Sequence, residues 1–238
     1  MTRGQTDPRT ISAGLLEFVG VIIEGDVDRV SRRLAGSPAL ATTPSGVGAT
    51  RQGTASFFFA DIAHYLYAGD TALHMAAAAF QPRIAALLIA HGADCHAKNR
   101  RGATPLHYAA DANRWNPDAQ AATIACLIAA GADPNATDST GVAPLHRAVR
   151  TRSLPAVRAL LDGGANARQP NGKGSTPLHL AVQPTGRGGS GSPQAREQQA
   201  GIIRLLLERG ARVDDRDQHG KDARRAATSE WVREVLRG

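Results

Sequence analysis

The sequence predicts an all-α solenoid of stacked helix-turn-helix units with short β-hairpin or loop fingers, and three observations predict it. A six-residue pattern occurs as TALHMA at 71–76, TPLHYA at 104–109, APLHRA at 143–148 and TPLHLA at 176–181, with Gly69, Gly102, Gly141 and Gly174 two residues ahead of each copy. The pattern histidines, His74, His107, His146 and His179, step by 33, 39 and 33 residues. A second landmark keeps phase with the first: Gly92, Gly131, Gly164 and Gly210, each followed by Ala, stand 10 residues ahead of the next pattern glycine. Gly220 closes the last of those intervals, so a fifth, degraded unit follows. Self-similarity at a fixed period of this length marks a repeat array whose units share one core, and a single domain over residues 11–238 is expected.

The elements follow in order. Residues 1–10 are polar and read as a flexible start. Leu15, Leu16, Phe18, Val19, Ile22 and Ile23 recur at helical spacing, and Gly25-Asp26 opens a second helix with Val27, Val30 and Leu34 on one side. These two helices form an atypical first unit over 11–43, with Arg29, Arg32 and Arg33 turned to solvent as an end repeat requires. Residues 36–54, rich in Gly, Ser, Thr and Pro, read as a long loop. The apolar run from Phe57 to Tyr67 reads as a short helix, so that 44–68 is a loop plus an apolar helix. Phe57, Phe58 and Phe59 are assigned to the core in preference to an exposed patch, because three consecutive aromatics usually turn two inward.

Clear units are expected at 69–101, 102–140, 141–173 and 174–219. In each, the segment after the pattern tetrapeptide is a first helix, and a second helix covers Ile84–Ala90, Thr123–Ala129, Leu154–Leu161 or Ile202–Leu207 before a glycine suited to the positive φ of a helix end. Thr104 and Thr176 precede a proline at the first helical position; Ala143 replaces that Thr and Ala72 that Pro, so those two helices are expected to be more weakly capped. Two units are longer than the others, with inserts of 6 and 13 residues between their helices, the first carrying Trp115 and the second Arg187. From Lys221 the pattern fades, and Trp231, Val232, Val235 and Leu236 form an amphipathic cap within 220–238.

The pattern G-x-T-P-L-H-x-A, helices ending LL-x-x-GAD and the period of 33 together resemble the ankyrin repeat, clearly over 69–227 and weakly before it. The resemblance implies that the recurrent histidines hydrogen-bond between neighbouring loops and helices. It also implies that variable residues of the fingers and first helices line a concave face, which here places Lys98, Arg100, Arg101, Arg147, Arg150 and Lys173 beside Tyr108 and Met75. Trp115 and Arg187 would add to that face from the inserts. Arginine beside an aromatic is the composition of binding hot spots, so the expected function is a non-catalytic scaffold that holds an acidic segment of another protein. A nucleic-acid-binding module using the same basic face is the second reading, and a small-molecule site or enzyme-associated role at the inserts is the third.

Composition and motifs bound the alternatives. The formal charge is +7, with Lys98, Lys173 and Lys221 the only lysines. Such a charge favours anionic partners through long-range attraction, though an arginine-rich composition accounts for it equally. Aromatics make up only 4% of the chain, few for stacking on bases. Histidines displaced by a whole unit cannot share ligand bonds of about 2 Å, so no metal is expected, and no cofactor. Gly186–Ser192 lacks the G-K-[ST] ending of a phosphate loop. A nucleophile elbow and an H-E-x-x-H helix are missing too, so an enzyme is not expected. Cys95 and Cys126 are too few for a disulfide framework. Glu17 interrupts the apolar run at 11–23, and nothing approaches the length of a membrane span. A cytoplasmic monomer is the expectation.

Overall fold

The computed structural model describes residues 8–50, 55–111, 116–184 and 191–237, with side chains from residue 14 onward. The chain divides into two compact units: residues 1–109 with 113–132, and residues 110–112 with 133–238.

The first unit opens with α1 (Pro8–Glu24) and α2 (Val27–Gly36). Asp26 caps α2, its carboxylate accepting the Arg29 N–H at 2.9 Å. Two pairs follow, α3 (Ala72–Ala78) with α4 (Pro82–Ala90) and α5 (Pro105–Ala109) with α6 (Pro117–Ala129). Helix α3 packs on α1 before it and α5 after it, while α4 lies between α2 and α6. No single pair buries its own apolar side; each neighbour supplies the missing wall. All seven residues of α3 are buried, four of them alanine, and that small-residue surface lets flanking helices approach closely. In the second unit α7 (Pro144–Thr151) and α8 (Leu154–Asp162) are followed by α9 (Pro177–Ala181) and α10 (Pro193–Glu208). The degraded last unit keeps two short helices, α11 (Ala223–Ala226), capped by Asp222, and α12 (Glu230–Val235). Val232 and Leu236 are buried, and α12 packs on α10 as the expected cap.

The inserts are not loops throughout. Helix α6 has 13 residues and α10 has 16, against 9 in each of α4 and α8, so part of each insert is spent on extra helical turns ahead of the expected starts. Both extensions carry a buried glutamine to the same place. Gln120 Nε2 donates to the Ala109 carbonyl at 2.9 Å, and Gln199 Nε2 donates to the Ala181 carbonyl at 2.6 Å. Ala109 and Ala181 are the last residues of α5 and α9, so each glutamine satisfies a carbonyl that the end of a helix leaves open.

The expected apolar helix at 57–67 is instead a β-hairpin. Strand β1 (Phe58–Phe59) pairs antiparallel with β2 (His64–Tyr65), Phe58 opposite Tyr65. Residues 45–49 lie along the other side of this segment: Ser45 N–H donates to Asp70 O, Gly69 N–H to Ser45 O and Ala49 N–H to Leu66 O, at 2.7–2.8 Å. The loop read at 36–54 thus carries both a 3₁₀ turn, Pro38–Ala41, and one arm of a finger. Assignment of the three phenylalanines to the core is also corrected. Phe57 and Phe59 are half-buried and Phe58 is exposed, while Ile62 and Leu66 supply the buried contacts. A helix would have left the backbone of 45–49 without these partners, whereas aromatic residues suit a half-buried pleat.

Candidate partner-binding surface

The pattern histidines are structural. His74, His107 and His179 each accept a backbone N–H at Nδ1, from Thr71, Thr104 and Thr176, and the hydroxyl of the same threonine lies 2.8–3.0 Å away. His146 keeps the bond from the Ala143 N–H at 3.1 Å but has no hydroxyl there, which is the weaker capping expected of that unit. An Nδ1 that accepts leaves the proton on Nε2. From Nε2, His74 donates to Ala103 O at 3.1 Å, His146 to Ser175 O at 3.2 Å and His179 to Lys221 O at 2.9 Å, each reaching the following finger. Among the described residues no group of His, Cys, Asp and Glu is placed to hold a metal ion.

Burial pushes the imidazoles of His74 and His146 below their usual value, against the upward pull of Asp70 on the first and of the Ser175 carbonyl on the second. Both are therefore neutral in the fold, whereas in the unfolded chain they take up a proton near pH 6.5. Their contribution to stability is complete above about 6.5 and falls as the pH drops below it, because the unfolded state then binds the extra protons. The melting temperature is expected to fall by several degrees between pH 7 and pH 5.5, read by circular dichroism. A flat profile over that range would mean that these rings are not held neutral.

The fingers are fixed by a second in-phase residue that the sequence reading passed over. Asn99, Asp138, Asn171 and Asp217 stand three residues ahead of Gly102, Gly141, Gly174 and Gly220, and each accepts two backbone N–H groups at Oδ1, from the residues two and four further on. Consecutive fingers also bond to each other, Arg100 N–H to Ala68 O in the first unit and Gly172 N–H to Thr140 O in the second. The glycines permit this closeness: Gly141 has φ +74°, and a Cβ there would lie 2.6 Å from the Gly172 nitrogen.

Against this frame the expected site residues separate. Met75 is fully buried and Tyr108 is 2% exposed, so neither contributes a surface. The cause at Tyr108 is Asp70, itself fully buried, whose Oδ2 accepts the Tyr108 hydroxyl at 2.8 Å and the Tyr67 N–H at 2.6 Å while Oδ1 accepts Asn99 Nδ2 at 2.8 Å. Arg147 is likewise withdrawn. Its guanidinium donates to Asp111 at 2.7 Å and Asp138 at 2.9 Å, and its side chain is 14% exposed. Burial and hydrogen bonds act in opposite directions on Asp138, and the donors Thr140, Arg147 and Val142 prevail, holding its carboxyl at about 2. In the second unit Arg150 and Lys173 remain exposed. In the first unit Lys98, Arg100 and Arg101 are exposed together on one finger, and among the described residues none of them is ion-paired. Trp115 and Arg187, and with them the expected small-molecule site at the inserts, lie outside the described residues.

The finger at 98–101 meets the hairpin at Tyr67. The Arg101 guanidinium lies 4.7 Å and that of Arg100 5.4 Å from the centre of the Tyr67 ring, and Arg100 Nη2 also donates to the Ala49 carbonyl. An arginine held by a ring and a carbonyl has lost much of its rotamer freedom before any partner arrives. The sequence places Tyr67 in the apolar helix expected over 57–67 and Ala49 in the loop before it, and an aromatic run gives no sign of which side it turns outward.

Known proteins agree with this architecture. A family model described as ankyrin repeats in three copies matches residues 49–119 and 116–217. An 82-residue stretch is 42% identical to Zygote-specific protein 3 of Chlamydomonas reinhardtii, covering 34% of this chain and 18% of that protein, so the match spans under a fifth of the relative's length. No described helix is long and apolar enough to cross a membrane. Since the matched residues run from the first finger into the last, and within each unit neighbouring repeats are joined by the same imidazole bonds, the chain belongs to the ankyrin-repeat family, whose arrays mediate protein–protein interaction.

Proposed function

We propose that this chain is a non-catalytic binding protein that holds an acidic segment of a partner protein against Lys98, Arg100 and Arg101. The observation that carries this reading is the contrast between two sets of cations. Arg147 is saturated by two carboxylates of its own unit, whereas these three are exposed and make no ion pair among the described residues. Of these, Arg100 and Arg101 are held in place by Tyr67 and can form charge-assisted bonds to carboxylates with little further ordering.

Reversing Lys98 and Arg101 to glutamate together is expected to weaken binding of a glutamate-rich peptide by at least tenfold, or about 1.4 kcal/mol, in fluorescence anisotropy. Both residues are exposed, so the helical signal and melting temperature should stay as they are. Unchanged peptide affinity in the double variant would remove the proposal. A strong preference for oligonucleotides of any sequence, with affinity falling steeply as salt is added, would replace it with nucleic-acid binding.

A further inference from the structure

Phe58 is one of two large apolar residues exposed among those described, and it stands at the end of a row of rings. Its ring centre lies 4.7 Å from that of Tyr65, which lies 6.3 Å from that of Tyr67. The row then passes to the guanidinium of Arg101, 4.7 Å from the Tyr67 centre. Phe58 and Tyr65 are directly opposite on the two strands, so their spacing is set by the hairpin ladder. A lone exposed phenylalanine needs no explanation. An exposed phenylalanine that continues an aromatic row into unpaired cations is a surface with an apolar end and a basic end.

We infer that the hairpin reads a second feature of the bound segment: an aromatic or branched apolar side chain that rests on Phe58 and Tyr65 while neighbouring carboxylates meet Arg101 and Lys98. This rests on the proposed capture of an acidic segment by that finger and specifies which acidic segments are held. Charge sets one end of the match, because Lys98 and Arg101 are exposed and have no acidic partner among the described residues. Ring geometry sets the other. Phe58 and Tyr65 are inclined at 46°, and Tyr65 and Tyr67 at 47°. Successive bases of a nucleic acid stack parallel and need ring faces to match, whereas tilted rings form a corrugated floor that suits a single side chain. The Tyr67 ring, moreover, already carries two guanidinium groups.

The steps from ring to ring limit the spacing of the recognised pattern. An extended segment advances about 3.3 Å per residue and presents alternate residues to one face. Laid end to end, those steps limit the separation from Arg101 to about three residues for Tyr65 and about five for Phe58, so the same-face positions within reach put the apolar side chain two or four residues from an acidic one.

The test is selection from a phage library of random dodecapeptides on the whole chain and, in parallel, on the Phe58→Ser variant. The pool selected on the unaltered protein is expected to carry acidic residues with an aromatic or branched residue two or four positions away. The Phe58→Ser pool should keep the acidic residues and lose the apolar position. A peptide from the first pool, synthesised alone, should bind Phe58→Ser about tenfold more weakly and Phe58→Trp as well as the unaltered protein. Acidic enrichment without an apolar position, or equal affinity for Phe58→Ser, overturns this inference and leaves the acidic-segment reading standing. A pool with no acidic enrichment overturns both. An oligothymidine that binds more tightly than the selected peptide, with the same loss in Phe58→Ser, overturns both in favour of a single-stranded nucleic acid.

Discussion

Asp70→Ala is expected to cost about 3–5 kcal/mol of stability in urea unfolding, more than any other single change to a polar residue of the first unit. The carboxylate is fully buried and accepts three donors, the Tyr67 N–H, the Asn99 side-chain amide and the Tyr108 hydroxyl. Alanine would take the carboxylate from all three in a site that water does not reach, leaving the Asn99 amide its bond to the Tyr108 hydroxyl at 2.9 Å, and an orphaned donor there costs about 1–3 kcal/mol before relaxation. Asn99 also holds the turn of its finger through Oδ1, so a displaced Asn99 loosens Arg101 and Ala103 as well. A double-mutant cycle isolates the network. Tyr108→Phe alone should cost about 1 kcal/mol, and on the Asp70→Ala background it should cost less, because the bond to the carboxylate is already gone there while the bond from Asn99 Nδ2, at 2.9 Å, is lost in both backgrounds. Additive losses would show that Tyr108 and Asp70 do not depend on each other, and the account of why Tyr108 faces inward would fail.

That inward turn explains where the sequence stopped being legible. The period, the histidines and the glycine-terminated helices are local or strictly repeated signals, and every one of them appears in the fold as read. Even the degraded last unit keeps its first helix, because Asp222 caps α11, its carboxylate accepting the Arg225 N–H at 2.8 Å. The site residues failed where a partner lies far along the chain. Tyr108 is withdrawn by a residue 38 positions earlier and Arg147 by one 36 positions earlier, separations at which a single sequence gives no pairing information. Two misses had local signals. The Asx residue three positions ahead of each pattern glycine recurs as regularly as the histidine, and it marks the turn that builds the finger. The Phe57–Tyr67 run is dense in aromatics, a strand preference that its apolar character concealed. Exposed Lys98, Arg100 and Arg101 were legible as surface; their attachment to Tyr67 depends on the hairpin and was not.

Arg147 decides between a structural and a binding role, and the two roles predict different results. If the guanidinium serves Asp111 and Asp138, Arg147→Met keeps most of the stem volume and is expected to cost about 3 kcal/mol at pH 7, since two poorly exposed carboxylates lose their shared counter-ion. Affinity for an acidic peptide should hardly change. The pH dependence carries the sharper sign. In the unaltered protein Asp138 is held at about 2, burial being outweighed by its donors, so its contribution is complete above the ordinary carboxylate value of about 4 and fades as the pH falls toward 2. Without Arg147 the Asp138 carboxyl moves up and the variant gains relative stability by protonating sooner. The deficit of Arg147→Met should therefore be full at neutral pH and shrink as the pH is lowered from about 4 toward 2, measured as the difference in urea midpoint between the two proteins. A deficit independent of pH, or lost peptide affinity with stability intact, would return Arg147 to the binding surface. A shrinking deficit leaves Arg150 and Lys173 as the expected site cations of the second unit, and it concentrates the proposed recognition on the finger where a tyrosine and a carbonyl hold Arg100 and Arg101.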